Sequence, residues 1–253
     1  ISLKLVDAGV NHDFPDTYKS DPSLIQAKMG MGTKNFLYEP AMTESECLDS
    51  MIHGANIVDN ISKTPCNTIA FGEMGIGNTA SASVIMSKIC DLPIDQCVGR
   101  GTGLDDPGVN KKIDILSQAI ARHSGISSDP IAVLSTFGGY ELAMMTGAML
   151  KAASLRMIIL VDGFISSSAF LIAHSINKNI MDYALFCHES HERGHQKMLS
   201  HLKAKPLLNL EIRLGEGTGC CLALPIIQSA LLFLREMATF DSAGVSKSNE
   251  KTH

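Results

Sequence analysis

The 253-residue sequence predicts an α/β protein: a parallel sheet in a Rossmann-like three-layer domain with helices on both faces. Three observations predict it. Short β-branched or apolar runs alternate with longer stretches of helical periodicity. The 21 glycines gather where such runs pass into helices. Hydrophobic residues make up 45% of the chain and charged residues 19%, which is enough apolar side chain for a sizeable core and too little charge for a disordered tail.

The first candidate strand is Leu3 to Asp7, followed by a helix from Thr43 to Ile61 that opens on the capping-box pattern Thr43-Glu44-Ser45-Glu46. Thr68 to Phe71 is the next strand, and Ala80 to Cys90 the helix after it. From Val109 to His123, residues Val109, Ile113, Leu116 and Ile120 share one helical face, with Lys111, Asp114, Gln118 and Arg122 turned away. Gly139 to Ala153 is rich in Ala and Met and suits a buried helix. Strands are then expected at Met157 to Val161, Ala184 to Cys187 and Leu208 to Ile212, with a last helix at Gln228 to Met237, after Pro225. No linker is rich in Pro, Gly or Ser, so residues 1–253 read as one domain, with room for a small N-terminal helical lobe. The polar stretch Ser246 to His253 reads as a frayed tail.

Composition excludes several classes. The formal charge of −5 and the lack of a basic cluster interleaved with aromatics argue against nucleic acid as a partner. Apolar runs such as Met157 to Val161 fall short of the ~18 to 20 residues that cross a bilayer, so no membrane association is expected. Seven cysteines, an odd number with no CxxC pair, suit reduced thiols in the cytoplasm better than a disulfide scaffold or a zinc ribbon.

Three glycine loops carry the chemistry. Gly72-Glu73-Met74-Gly75-Ile76-Gly77-Asn78-Thr79 lies between a strand and a helix, where backbone N–H groups and a helix amino end suit a phosphate. It lacks the third glycine of a dinucleotide fingerprint and the lysine of a P-loop. Gly99-Arg100-Gly101-Thr102-Gly103, with Lys111 and Lys112 on the helix beyond, again suits an anion. Gly215-Glu216-Gly217-Thr218-Gly219 fences a carboxylate with glycines, which core packing does not explain. At the carboxyl edge of a parallel sheet these loops share one site with Val161-Asp162-Gly163 and with His188 to Gly194. Each has a bland alternative as an ordinary turn.

His191-Glu192-Arg193-Gly194-His195 matches H-E-x-x-H. A zinc hydrolase needs both histidines on one helix, whereas this segment follows a strand and places Gly194 inside any such helix, at about 1 kcal/mol. No metal is assigned.

GEMGIGNTASA, GRGTGLDDPGVNKK, LVDGFISSSA, SHERGH and RLGEGTG, in this order, resemble the nicotinate-nucleotide:dimethylbenzimidazole phosphoribosyltransferase family, as do VDAGV at residues 6–10 and EPAMT at 39–43. The resemblance implies transfer of phosphoribose from nicotinate mononucleotide to a benzimidazole base in cobalamin nucleotide-loop assembly, with no cofactor, by a homodimer. It implies Glu216 as catalytic base and Glu73 as a secondary base or charge stabiliser. The phosphate would rest on Gly75, Gly77, Asn78, Thr79 and Gly101 with Lys112 as counter-charge. Gly163, Ser190, His191, Gly215 and Gly217 would complete the nucleotide pocket. Family members carry a longer segment ahead of VDAGV that forms part of the base pocket, so the chain is expected to lack it. Cys220 and Cys221 depart from the small residues of that family, either as packing differences or as two thiols that would crowd or sensitise the site. The competing readings are a non-catalytic nucleotide-binding relative and, through His191 and His195, the zinc hydrolase.

Overall fold

A computed structural model describes residues 1–101, 103–212, 214–239 and 241–244. The tail Ser246 to His253, together with Thr102 and Arg213 of two glycine loops, lies outside the described residues. In chain order the elements are β1 (Leu5–Asp7), α1 (Asp16–Lys19), β2 (Leu24–Gln26), α2 (Glu44–Ile61), β3 (Thr68–Phe71), α3 (Thr79–Cys90), α4 (Asp106–Arg122), α5 (Pro130–Phe137), α6 (Tyr140–Ser154), β4 (Ile158–Val161), α7 (Phe164–Ile176), β5 (Ala184–Phe186), α8 (His195–Leu202) and α9 (Thr218–Glu236). Short 3-10 turns occupy Ile94–Gln96 and Lys178–Tyr183.

The main sheet is parallel in the order β3-β4-β5, with Phe71 beside Val161 and Val161 beside Phe186. A separate parallel pair, β1-β2, aligns Leu5 with Leu24. Side chains alternate across the main sheet, as a pleat requires. Ile159, Val161 and Phe186 enter the large core, which includes residues of α3, α5, α6 and α7. Leu160 and Cys187 point the other way, into a small cluster with Cys220 and Ala223 of α9. This alternation makes the three layers.

Local chemistry sets several boundaries. The Thr43 hydroxyl accepts the Glu46 N–H at 3.1 Å, while the Glu46 carboxylate accepts the Thr43 N–H at 2.7 Å, the reciprocal box that the sequence pattern predicts. Asp105 caps α4 by accepting the Gly108 N–H at 2.9 Å. Helix α2 crosses α6 closely because glycines remove side chains at the contact. A Cβ on Gly54 would overlap the Met144 carbonyl, and one on Gly147 the Met51 carbonyl. The N-terminal helix therefore joins the main core, with Cys47 and Val58 buried in it, instead of forming a lobe of its own.

Two further expectations need correction. Leu208 to Ile212 is not a strand: a single parallel bridge pairs Leu208 with His188, and Glu211 takes a left-handed φ of 55° that no regular strand accommodates. The segment still runs beside the exit of β5, with the Leu208 N–H donating to the Cys187 carbonyl at 3.0 Å. The last helix starts at Thr218 and carries Pro225 inside it. As one 19-residue helix it is long and apolar enough to cross a membrane by length and composition, although its first turns pack on the sheet. Helix α7 has no place in the periodicity reading because Ser166, Ser167 and Ser168 interrupt its apolar pattern. All three are buried and satisfied, by the Phe71 carbonyl, His195 and the Ile165 carbonyl.

Gly147→Ala is expected to destabilise the fold by about 1–3 kcal/mol, the usual cost of overpacking a tight contact, read as a lower urea midpoint at unchanged slope.

Candidate active site

The carboxyl ends of β3, β4 and β5, and the segment alongside β5, open onto one edge of the sheet, where parallel α/β sheets bind ligands. The first and third glycine loops meet there directly. A Cβ on Gly72 would overlap the backbone of Glu216 and Gly217, and the Glu216 N–H donates to the Glu73 carbonyl at 2.9 Å. Gly215, Glu216 and Gly217 are left-handed in succession, at φ 75°, 60° and 76°. A non-glycine residue in that region costs roughly 1–2 kcal/mol, and Glu216 occupies it with an exposed side chain.

Asp162, just beyond β4, holds this turn. It is 1% exposed and accepts the Gly217 N–H at 3.2 Å and the Cys220 N–H at 3.3 Å. Gly217 is the N-cap of α9 and has no side chain, so a carboxylate from another element supplies the cap. His188 Nε2 lies 3.5 Å from Asp162 Oδ1, and a Cβ on Gly219 would overlap the His188 ring. Gly163 sits beneath the same imidazole, its Cβ position 3.1 Å from His188 Nε2 and 3.5 Å from the Ser190 Cβ.

Glu73 points back along its own loop, with Oε2 accepting the Gly75 N–H at 2.6 Å and Asn78 Nδ2 at 2.9 Å. Burial pushes its carboxyl above the usual range, these two hydrogen bonds oppose the shift, and the charges of Asp162 and Glu141 add to it. Gly75 and Gly77 take left-handed φ values of 74° and 83°, which turn the loop into the amino end of α3. Beside that end, Lys112 Nζ of α4 donates to the Thr79 hydroxyl at 2.9 Å. Gly101, at φ 54°, approaches both, its Cβ position 3.2 Å from Thr79 Oγ1 and 3.8 Å from Lys112 Nζ. Burial lowers the Lys112 ammonium and Glu192 partly restores it. A helix amino end, a hydroxyl, a left-handed glycine and a half-buried ammonium converge as an anion site requires.

The H-E-x-x-H segment does not make a zinc site. His191 is exposed and precedes α8, whereas His195 is the first residue of α8 and fully buried. His195 Nδ1 accepts the Ser190 N–H at 2.8 Å, so its proton is on Nε2 and is donated to the Ser167 hydroxyl at 2.9 Å. Burial pushes this imidazole down to about 3. Both ring nitrogens are occupied, and the Glu192 carboxylate lies against Gly99. Gly194 is needed because α8 begins against the Cys97 carbonyl and the Met86 sulfur, each 2.9 Å from its Cβ position. Among the described residues no group of His, Cys, Asp and Glu could hold a metal.

A phosphoribosyltransferase family model matches residues 1–245. The chain belongs to that phosphoribosyltransferase family. A nicotinate-nucleotide--dimethylbenzimidazole phosphoribosyltransferase of Photobacterium profundum is 47% identical over 246 residues, covering 97% of this chain and 71% of the relative. One from Dechloromonas aromatica is 50% identical over 248 residues, covering 97% and 70%. The crystal structure of CobT from Thermus thermophilus superposes with a TM-score of 0.89 at 34% identity, covering 97% of this chain and 72% of that one.

Against this phosphoribosyltransferase fold, the geometry brings Glu73, Gly75, Asn78, Gly215, Glu216 and Gly217 into one group, and Thr79, Gly101 and Lys112 into a second that adjoins it through Asn78. Gly163 and Ser190 meet around His188. His191 shares only the backbone of this region, its N–H donating to the Ile212 carbonyl at 3.2 Å. Cys220 is buried beside Cys187, which together with burial raises its thiol, so it is a packing residue and not a reactive one. Sequence reasoning missed Asp162 and His188 as structural partners of the Glu216 turn, and Glu141 as a further, half-buried acid of this region. A lone carboxylate opening the apolar helix α6 after two glycines was the available signal for Glu141.

Removal of divalent metal is expected to leave both folding and turnover unchanged. Equal activity before and after dialysis against EDTA, with sub-stoichiometric zinc by elemental analysis, is the check.

Proposed function

We propose that this chain transfers the phosphoribosyl group of nicotinate mononucleotide to 5,6-dimethylbenzimidazole or a related base, giving α-ribazole 5′-phosphate and nicotinate in cobalamin nucleotide-loop assembly. The names of its relatives support the substrates. The observation that carries the reading is the Glu216 turn: an exposed glutamate within three left-handed residues, its backbone N–H donating to the Glu73 carbonyl, close to the Thr79 and Lys112 pair at α3.

The glycosidic bond from C1′ to the pyridinium nitrogen breaks, and its electron pair leaves with nicotinate. The donor nitrogen is already cationic, so departure requires no general acid. The benzimidazole nitrogen attacks C1′ from the opposite face, which turns a β-nucleotide into an α-product. The incoming imidazole must give up its N–H proton, and Glu216 takes it as general base. Glu73, as a carboxylate, stabilises the positive charge that develops on the ribose ring. The 5′-phosphate rests on the Gly75, Gly77, Asn78 and Thr79 backbone and on Gly101, with Lys112 as counter-charge. Asn78 contributes through its main chain, because its side-chain nitrogen is engaged by Glu73. Gly163, Ser190, His191, Gly215 and Gly217 line the rest of the nucleotide pocket. All seven cysteines are free, which supports a reducing cytoplasmic setting. The apolar face of α9, with Ile226 at 48%, Leu231 at 55% and Phe233 at 66% exposure, supports a packing partner, read here as a second copy in a homodimer.

Glu216→Gln is expected to lower kcat at least ~10²-fold in a chromatographic assay of nicotinate and ribotide, as loss of a general base does. Unchanged turnover would overturn the base assignment. Lys112→Ala is expected to raise the KM for the mononucleotide more than tenfold with a smaller change in kcat, about 1.4 kcal/mol or more of phosphate binding. Sedimentation equilibrium of the parent is expected to give twice the chain mass, and Phe233→Asp to shift it toward the monomer.

A further inference from the structure

Beyond β5 three successive amides are held in place. The Glu189 N–H donates to the Leu208 carbonyl at 2.8 Å, and the His191 N–H to the Ile212 carbonyl at 3.2 Å. Between them the Ser190 N–H turns to a side chain instead, because β4 ends at Val161, whose carbonyl already accepts from Cys187 at 2.8 Å. A buried amide must be paired, and His195 Nδ1 accepts this one at 2.8 Å. The segment 190–195 is thereby closed on itself, with the His195 N–H donating to the Glu192 carbonyl at 2.9 Å.

The other ring nitrogen leads to a different strand. Nε2 donates at 2.9 Å to the hydroxyl of Ser167, fully buried on α7, and the Ser167 N–H donates to the Gly163 carbonyl at 2.9 Å. Gly163 follows β4, and its Cβ position is 3.5 Å from the Ser190 Cβ. One imidazole thus ties the segment leaving β5 to the segment leaving β4, where Ser190 faces Gly163. Burial, with a smaller contribution from His188, keeps the ring neutral down to about pH 3, so Nδ1 stays an acceptor through the neutral range. An apolar side chain would fill the same space against Phe164, whose ring centroid is 6.2 Å away, without the cost of burying two nitrogens. What histidine supplies is an acceptor and a donor at fixed places on one rigid ring.

We propose that His195 is a positioning residue for the nucleotide pocket: its Nδ1 fixes the Ser190 main chain, and its Nε2, through Ser167, fixes Gly163 opposite. This rests on the reading of Ser190 and Gly163 as pocket residues. The competing explanation is that His195 only fills the core between α7 and α8. The two differ in which replacement is tolerated.

The experiment compares His195→Asn, whose amide oxygen can stand in for Nδ1, with His195→Gln, whose amide nitrogen can stand in for Nε2. For His195→Gln we expect the mononucleotide KM to rise on the order of tenfold with kcat within about threefold of the parent, as loss of uniform binding does. His195→Asn should keep KM within about threefold, although both variants lose ring packing and melt at lower temperature. Ser167→Ala, a milder change that leaves the imidazole in place, should raise KM a few fold in the parent and not at all in His195→Asn, the non-additivity of residues acting through one another. Equal KM values for His195→Asn and His195→Gln, or no change of KM in Ser167→Ala, would make His195 a core residue and overturn the proposal. Amide exchange at Ser190, read by NMR without substrate, separates the clamp from the substrate assignment. If the parent neither binds nor turns over the mononucleotide, the substrate reading fails; faster Ser190 exchange in His195→Gln than in His195→Asn then leaves the clamp standing, and equal exchange ends it as well.

Discussion

A buried carboxylate costs several kcal/mol unless hydrogen bonds replace the water it loses, and at Asp162 those bonds come from the amino end of α9. The same contact completes a helix whose own N-cap is a glycine. Each side therefore meets a requirement of the other. The glycine is needed because a left-handed turn precedes the helix, and the carboxylate is needed because glycine cannot cap. From this one junction follow the position of Gly217, the left-handed Glu216 beside it, and the fit of His188 against Gly163 and Gly219. The site is built on the ends of rigid elements, so its geometry is set by packing and not by the loops alone.

Electrostatics then divides the neighbourhood. Glu73, Asp162 and Glu141 concentrate negative charge behind the Glu216 turn, while Lys112 and the amino end of α3 concentrate positive character in front of Thr79. A substrate with an anionic phosphate at one end and a cationic ring nitrogen near the other matches this polarity. On the proposed reading the phosphate would lie at α3 and the electron-poor ribose carbon beside the carboxylates. Burial raises the Glu73 and Glu141 carboxyls and lowers the Lys112 ammonium, so each of these groups lies closer to neutrality than in water, and a bound charge of the opposite sign restores it.

Much of this was legible in the chain. Thr68 to Phe71 was read to the residue, and the Thr43 to Glu46 capping box and the amphipathic helix after Asp105 were read almost so, because caps, period and flanking glycines are local signals. The glycine loops and Glu216 were visible as motifs. Helix α7 was not, since its buried serines are satisfied by Phe71, His195 and Ile165, and only the first two contacts are long-range. Leu208 to Ile212 was misread because its apolar composition suits a strand while the left-handed Glu211 forbids one. The last helix was cut at Pro225 because a proline's cost is local, whereas the packing of Cys220 and Ala223 that carries the helix through it is not.

The α/β class, the strand Thr68–Phe71, the capping box at Thr43 and the glycine loops were determined by the sequence itself, through period, caps and glycine. Which carboxylate holds which backbone was decided only by the tertiary structure. Asp162 meets α9 across 55 residues of chain, Lys112 of α4 reaches Thr79 at the start of α3, and His195 spends both nitrogens on Ser167 and Ser190. Such pairings depend on where the sheet edge brings separate segments together. No local propensity records that distance.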